Sequence, residues 1–384
     1  MKSEQNMHQV LVSLGSNLGN RFENLQLAIN FLFEEIGAVL KISPVYETPA
    51  MGFDGDEFLN CVVLLETEYS PQKVLEIVLN IEQKMGRIRN PEEGYISRPI
   101  DIDILFFDDE VIKTKNLRIP HPEIQYRKFV LLPLNDISGR WIHPVFKKNV
   151  SELLTETADS SKAVKLNKWL INPMKQFDFS KYNYIVIEGN LGVGKTSLTS
   201  KIARDFNAKL VLERFKDNPF LPKFYEDQSR YAFPVEMSFL AERYRQLSDE
   251  VGQLDIFQNW IISDYEISKS LIFAGATLEE DEFLLYRQIF QVMVKDFPKP
   301  DLYIYLHQDI DRLLENIRKR GREYELNIEA EYLLKINKKY LNFIQNKPFE
   351  NIKVIDVSEL DFVGNRKDYL LLLKEILRKP GMED

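Results

Sequence analysis

Short apolar runs and stretches of helical spacing divide this chain into two halves with different rhythms. Residues 10–14 form an apolar strand that breaks at Gly15-Ser16-Asn17. Phe22, Leu25, Ile29, Leu32, Phe33 and Ile36 then follow helical spacing, and Gly37 supplies the stop. "AVLKISPVYET" reads as a strand with Pro44 marking an edge or bulge, and "EFLNCVVLLETEY" as another strand. "SPQKVLEIVLNIEQKMG" is a helix with Ser70 as cap, Pro71 in its first turn and Gly86 beyond its end. "RPIDIDILFFDDEVI" is a strand, a turn and a further short strand. Two helices among four or so strands, without a repeating βαβ unit, predict an α+β sandwich.

Between residues 155 and 181 the pattern weakens into polar and small residues, which predicts a linker or a poorly defined connecting helix. The rhythm then changes. "YIVIEG", "AKLVLE", "NWIISDY", "PDLYIYL" and "NIKVIDVS" are strands separated by helices, the signature of a parallel, doubly wound α/β sheet. The expected organisation is therefore one domain over 7–157, a linker over 158–181 and a second domain over 182–384.

With 384 residues the chain is long enough for two cores, and 44% hydrophobic with 28% charged residues is ordinary globular composition. The formal net charge of −9 argues against a broad nucleic-acid surface. No apolar stretch reaches membrane-spanning length, and the lone Cys61 lies in an apolar run. The expectation is a cytoplasmic protein that binds neither nucleic acid nor membrane.

Two motifs carry chemistry. "GNLGVGKT", residues 189–196, satisfies G-x-x-x-x-G-K-T between an apolar strand and an amphipathic helix. Backbone N–H groups around Gly189, Asn190, Gly192 and Gly194 would close on phosphate oxygens of ATP, Lys195 would reach the β- and γ-phosphates, and Thr196 would offer its hydroxyl to Mg²⁺. In "RPIDIDILFF", strand alternation turns Asp101 and Asp103 to one face and Ile100, Ile102 and Ile104 to the other. Two adjacent carboxylates repel unless a cation lies between them, and hard oxygen ligands suit Mg²⁺ carrying ATP. Arg87, Arg89 and Arg98 lie just upstream.

Residues 7–154 resemble 6-hydroxymethyl-7,8-dihydropterin pyrophosphokinases, on "SLGSNLGNR", "VYETPAMG", "FLNCVV", "MGRIRN", "RPIDIDILFF" and "IPHPEIQYRKFVLLPL". The resemblance implies a ferredoxin-like sandwich and transfer of pyrophosphate from MgATP to a pterin hydroxymethyl group. It implies that Asp101 and Asp103 bind two Mg²⁺ ions, and that Arg87 and Arg98 contact ATP or the moving phosphates. Glu82, His121 and Arg127 would surround the nucleotide. Phe58 and Phe129 would sandwich the pterin, with Asn60 on its edge and Thr48, Pro49 and Met51 giving backbone contacts. Two family positions differ: Pro122 stands for a tyrosine and Tyr95 for a tryptophan.

From Tyr182 onward the chain resembles the deoxynucleoside kinase family, on "IEGNLGVGKTSL", "ERFKDNPFLPKFYED", "YAFPVEMSFLAERY" and "RKRGREYE". The resemblance implies that Glu213 accepts the 5′-hydroxyl proton of a deoxynucleoside, and that Tyr225 touches its 3′-hydroxyl. Glu325 would be the acidic partner in a lid whose Arg318, Arg320 and Arg322 neutralise phosphoryl charge. One Mg²⁺ would accompany ATP, and the family's habit points to a homodimer through this half. Glu236 stands where the family usually pairs a glutamine with the base, so base preference should differ. Ser263-Asp264-Tyr265 replaces an Asp-Arg-Ser stretch, leaving no arginine there to place the catalytic carboxylate and phosphates; Asp264 at a strand end is a candidate Mg²⁺ ligand, with a helix cap as its plainer role. The expectation is a bifunctional ATP-dependent enzyme. The alternative is a chain catalytic only in its N-terminal domain, with a nucleotide-binding or dimerisation module behind it.

Overall fold

The computed structural model describes residues 7–50, 55–87, 97–214, 218–250, 260–295, 297–326, 328–346 and 348–378. Met51, Arg89 and Tyr95, all singled out above, lie outside the described residues. The chain divides into two compact units, the first ending at Gln176 and the second beginning at Phe177.

In the first unit the elements run β1 (His8–Ser16), α1 (Arg21–Glu35), β2 (Ala38–Ile42), β3 (Tyr46–Thr48), β4 (Phe58–Thr67), α2 (Pro71–Lys84) and β5 (Asp101–Phe107). A two-stranded ribbon of β6 (Ile112–Lys113) and β7 (Arg118–Ile119), then α3 (Lys128–Ser138), α4 (Val150–Glu156) and β8 (Val164–Lys165) complete it. The antiparallel sheet has the order β5-β1-β4-β3-β8, and β2 also pairs with β4. Both faces are covered, which is why β1 and β4 read as nearly unbroken apolar runs. On one face α1 buries Leu25, Ala28, Ile29, Leu32 and Phe33. On the other, Leu11, Val62, Leu64 and Phe106 pack against Val130, Leu131 and Leu134 of α3 and Val150 and Leu153 of α4.

The single strand expected over residues 38–48 is interrupted at Ser43-Pro44, dividing β2 from β3. Proline has no N–H for the ladder, and Ser43 bridges the break: its amide donates to Val62 O and its hydroxyl accepts from Val62 N, both at 2.9 Å. Helix α2 has the expected cap, Ser70 accepting from the Lys73 amide at 3.4 Å.

The stretch read as a linker corrects itself into two parts. Residues up to Gln176 lie on the first unit: β8 pairs with β3, Leu166 N donates to Val45 O at 2.8 Å, and Asn172 Nδ2 donates to Val39 O at 2.8 Å. Backbone pairing at a sheet edge leaves little hydrophobic pattern, so polar composition there did not mean loose chain. Phe177 and Phe179 belong to the second unit, where Phe179 stacks on Trp260 with centroids 5.3 Å apart.

The second unit runs β9 (Tyr184–Gly189), α5 (Lys195–Asp205), β10 (Lys209–Val211), α6 (Leu221–Glu226), α7 (Gln228–Glu250), β11 (Ile261–Ser263), α8 (Lys269–Thr277) and α9 (Glu280–Met293). It continues with β12 (Leu302–His307), α10 (Ile310–Arg320), α11 (Ala330–Gln345), β13 (Ile352–Asp356) and α12 (Arg366–Leu377). Its five-stranded sheet is wholly parallel in the order β10-β11-β9-β12-β13. Every residue of central β9 is buried, and the carboxyl ends of β9, β10 and β11 open on one side, where ligands sit in such sheets. Among the described residues no helix is long and apolar enough to cross a membrane.

Candidate active sites

In the first unit, Ile100, Ile102 and Ile104 are buried while Asp101 and Asp103 line a cavity of about 240 Å³. Phe58, Phe129, Asn60, Thr48, Pro49, Arg98 and Arg127 also line it, so most of the residues singled out in the sequence meet in one place. Asn60 is anchored by donating to Thr48 Oγ1 at 2.8 Å. The guanidinium groups of Arg98 and Arg127 lie over the rings of Phe58 and Phe129, at 5.5 and 5.9 Å from their centroids. Gly15 shares the wall: a Cβ there would stand 3.0 Å from Asn60 Oδ1, so only glycine leaves that amide its place.

Asp101 is held by cations. Arg98 donates to its Oδ2 at 2.6 Å, and Arg87 bridges Asp101 to Glu82. Glu82 was expected beside a nucleotide, but it is 1% exposed, and its Oε1 also accepts from Ile102 N at 2.9 Å. Glu82 and Arg87 therefore form a brace behind Asp101 and do not line the cavity. His121 also stands outside the lining; its Nδ1 accepts from Glu123 N at 3.3 Å, and burial together with Arg127 keeps it neutral-leaning. Burial first, and then the charge of Asp101, raise the Asp103 carboxyl to about 7, partly offset by Arg127 and Arg98. This electrostatic stress is what a divalent cation relieves, and an open pair of carboxylates suits a hard cation that completes its shell with phosphate oxygens or water. Ser13, Glu123 and Tyr126 complete the wall without having been anticipated. They are common residue types with no spacing signal.

In the second unit the loop leaving β9 is shaped by its glycines. Gly189 has φ +153° and a Cβ there would lie 2.6 Å from Leu306 O; Gly194, at φ +95°, opens α5. Lys195 donates to the loop carbonyls of Gly189 and Asn190 at 2.8 and 2.9 Å, and burial followed by the Lys269 charge lowers it to about 8. The Asn190 side chain turns away, donating to Leu333 O and Asn337 Oδ1. Thr196 donates to Asp264 Oδ2 at 2.5 Å, while Asp264 Oδ1 accepts from Glu213 N at 2.7 Å. Asp264 thus ties the ends of β10 and β11 to the start of α5.

Glu213 is clamped. Arg243 Nε and Nη2 reach its Oε1 at 2.8 and 2.7 Å, and Lys269 Nζ reaches its Oε2 at 2.6 Å. Burial alone would raise this carboxyl, but Lys269 and Arg243 outweigh it and bring it down to about 2. Arg243 from α7 and Lys269 from the start of α8 thus hold the Glu213 carboxylate, an arrangement the sequence did not show, since Ser263-Asp264-Tyr265 offers no arginine. The only sequence signal was indirect: Arg243 lies two turns beyond Glu236 on α7.

A cavity of about 100 Å³ joins Gly192, Lys195, Thr196, Glu213, Arg243, Asp264 and Lys269 to Tyr225, Glu236, Arg320, Arg322 and Glu325. Arg320 and Arg322 both pair with Glu325, the latter at 3.0 Å. Arg318 is exposed on α10 and does not line the cavity. Glu236 is 3% exposed; burial first raises it to about 7.

The model of the deoxynucleoside kinase family matches residues 185–379, and that of the 7,8-dihydro-6-hydroxymethylpterin-pyrophosphokinase family matches residues 11–139. A deoxyguanosine kinase of Bacillus subtilis (strain 168) is 35% identical over 190 residues, covering 48% of this chain and 92% of that protein. A deoxyadenosine/deoxycytidine kinase of the same organism is 34% identical over 44% of this chain and 81% of its own length. A 2-amino-4-hydroxy-6-hydroxymethyldihydropteridine pyrophosphokinase of Aquifex aeolicus (strain VF5) is 41% identical over 151 residues, covering 39% of this chain and 92% of that protein.

Proposed function

The chain belongs to the pterin pyrophosphokinase family through its first unit and to the deoxynucleoside kinase family through its second, and from this premise we propose two separate ATP-dependent transfers. In the first unit the hydroxymethyl oxygen of 6-hydroxymethyl-7,8-dihydropterin attacks the β-phosphorus of ATP. The bond from that phosphorus to the α,β-bridging oxygen breaks, AMP leaves with the bonding electron pair, and the hydroxyl proton is released to solvent. Phe58 and Phe129 sandwich the flat ring and Asn60 reads its edge, while Arg98 and Arg127 neutralise the phosphates. Arg87 and Glu82 keep Asp101 aimed. The β5-β1-β4-β3 order, with α1 following β1 and α2 following β4, supports reading this unit as a ferredoxin-like sandwich.

In the second unit the 5′-oxygen of a deoxynucleoside attacks the γ-phosphorus, ADP leaves, and Glu213 accepts the hydroxyl proton. Clamping by Arg243 and Lys269 keeps that carboxylate ionised and oriented, which is the main demand phosphoryl transfer makes on a protein. The glycine loop from Gly189 to Gly194, with Lys195, cradles the phosphates, and Arg320 and Arg322 face them from the other side of the cavity. Asp101 and Asp103 would hold two Mg²⁺ ions and Thr196 one, supplying positive charge against the transferred group. The enzyme works in the cytoplasm, and its homodimer forms through the second unit, where α9 leaves Leu284, Leu285 and Val292 exposed.

The clamped Glu213 beside Lys195 is the observation that carries catalysis by both halves over catalysis by the first alone. The test is the adenine product formed by purified protein with MgATP. AMP with the pterin and ADP with a deoxynucleoside is the expected result. AMP without any nucleoside-dependent ADP would reduce the second unit to a binding module.

A further inference from the structure

The glycine loop of the second unit is gripped from outside by α10, the helix that ends at Arg320. Gly192 has φ +85°, and a Cβ there would lie 2.9 Å from both Leu313 O and Ile317 Cγ1 of α10. Any side chain at 192 would push the helix away from the loop. At the same point Asn316 Nδ2 donates to Gly192 O at 3.1 Å and to Gln308 Oε1 at 3.0 Å, so both of its hydrogens are engaged. Gln308 is buried, and its Nε2 donates to Val357 O at 3.3 Å, just past β13. The Asn316 carboxamide therefore joins the phosphate loop to a fixed point at the end of the sheet.

Helix geometry gives this contact a consequence four residues on. Residues 316 and 320 share a face of α10, whereas residue 318 lies nearly opposite. Arg320 lines the cavity with Lys195 and Glu213 and pairs with Glu325, while Arg318 is exposed outside it. Nothing in "RKRGR" separates the two arginines; the rotation of the helix does.

We infer that Asn316 is a positioning residue for phosphoryl transfer: by holding Gly192 O it sets the rotation of α10 and so aims Arg320 at the γ-phosphoryl group. This rests on the kinase reading above. Asn316 does not line the cavity, so it acts only through the groups it holds. Both of its partners are acceptors, so the position requires a double donor; leucine, of similar size, fills the space and offers none. Because Arg320 would act on charge in the transferred group, loss of its aim falls on kcat and spares the KM of the deoxynucleoside.

The experiment is a double-mutant cycle in the full-length protein, pairing Asn316→Leu with Arg320→Ala. ADP release with MgATP is followed with whichever of deoxyguanosine, deoxyadenosine, deoxycytidine or thymidine turns over fastest. Asn316→Leu is expected to lower kcat by roughly 10–100-fold and to leave the deoxynucleoside KM within about twofold, since a displacement of about 1 Å suffices to misplace a catalytic group. In the Arg320→Ala background the same substitution costs less than about twofold, because the group it aims is gone. A purely structural role would give the same fold-loss in both backgrounds; that result, or an unaltered kcat in Asn316→Leu, overturns the inference and leaves the kinase reading standing. If thermal denaturation shows that Asn316→Leu does not fold, Asn316→Ala, a substitution that favours the helix, carries the same cycle under the same criterion. Absence of ADP from the wild-type protein with every nucleoside overturns the kinase reading and the inference with it.

Discussion

Lys269 and Glu236 show how burial turns single charges into devices. Glu213 sits well below its ordinary carboxyl range because Lys269 and Arg243 outweigh its burial. The stability this contributes is present above about pH 4.5 and is lost as pH falls toward 2. Lys269→Met removes the cation that lowers Glu213 most. It should lower nucleoside-dependent kcat/KM by about 10²-fold and move the acid limb of its pH profile upward, as Glu213 returns toward its ordinary value. Lys269→Arg should restore much of the activity; a limb that stays in place would show that the lysine does not hold the carboxylate. Glu236 has the opposite sign. Its folded-state carboxyl is raised to about 7, so the folded protein keeps a proton that the unfolded chain gives up near pH 4.5. Stability from this group is full below pH 4.5 and gone above about 7. Glu236→Gln should therefore stabilise the second unit by on the order of 2 kcal/mol at pH 8 and change little at pH 4, read from denaturation at the two pH values.

Elements depend on backbone approaches that no hydropathy pattern contains. Gly37 was legible as the stop of α1, but its stronger constraint is spatial. A Cβ at that position would stand 1.9 Å from the Glu66 carbonyl oxygen of β4, which is backbone and cannot swing aside. Gly37→Ala should cost about 3 kcal/mol or more in the unfolding free energy of the first unit, by prying β2 and α1 from β4. A loss below 1 kcal/mol, measured by denaturant titration, would mean that the turn relaxes easily. Strand alternation at Asp101 and Asp103 was readable directly, because a period of two sorts acids from isoleucines. The brace of Glu82 and Arg87 behind Asp101 was not, since α2 and β5 are joined by a long connection and meet only in the folded unit.

For the molecule as a whole, each unit has its own sheet, core and cavity, so the two chemistries should be separable by substitution. Asp101→Ala is expected to abolish pterin-dependent AMP formation while nucleoside-dependent ADP formation stays within about twofold of wild type. Glu213→Gln is expected to do the reverse, lowering ADP formation by about 10²–10⁴-fold. Loss of both activities in either variant would refute two independent sites.

Local pattern carried the strands, most helices, the glycine loop and the paired aspartates, because each depends on neighbours within a few residues. The near-complete meeting of Phe58, Asn60, Arg98 and Phe129 in one cavity was likewise implied by ordered sequence blocks. Tertiary structure alone decided which cations serve Glu213, that Arg318 lies apart from Arg320 and Arg322, and that the polar stretch before Gln176 pairs with a sheet edge. It also decided the state of Glu236, whose carboxyl is raised by packing against residues far away in the chain. Charge and hydrogen bonding act through distance in space, and a sequence records distance only along the backbone.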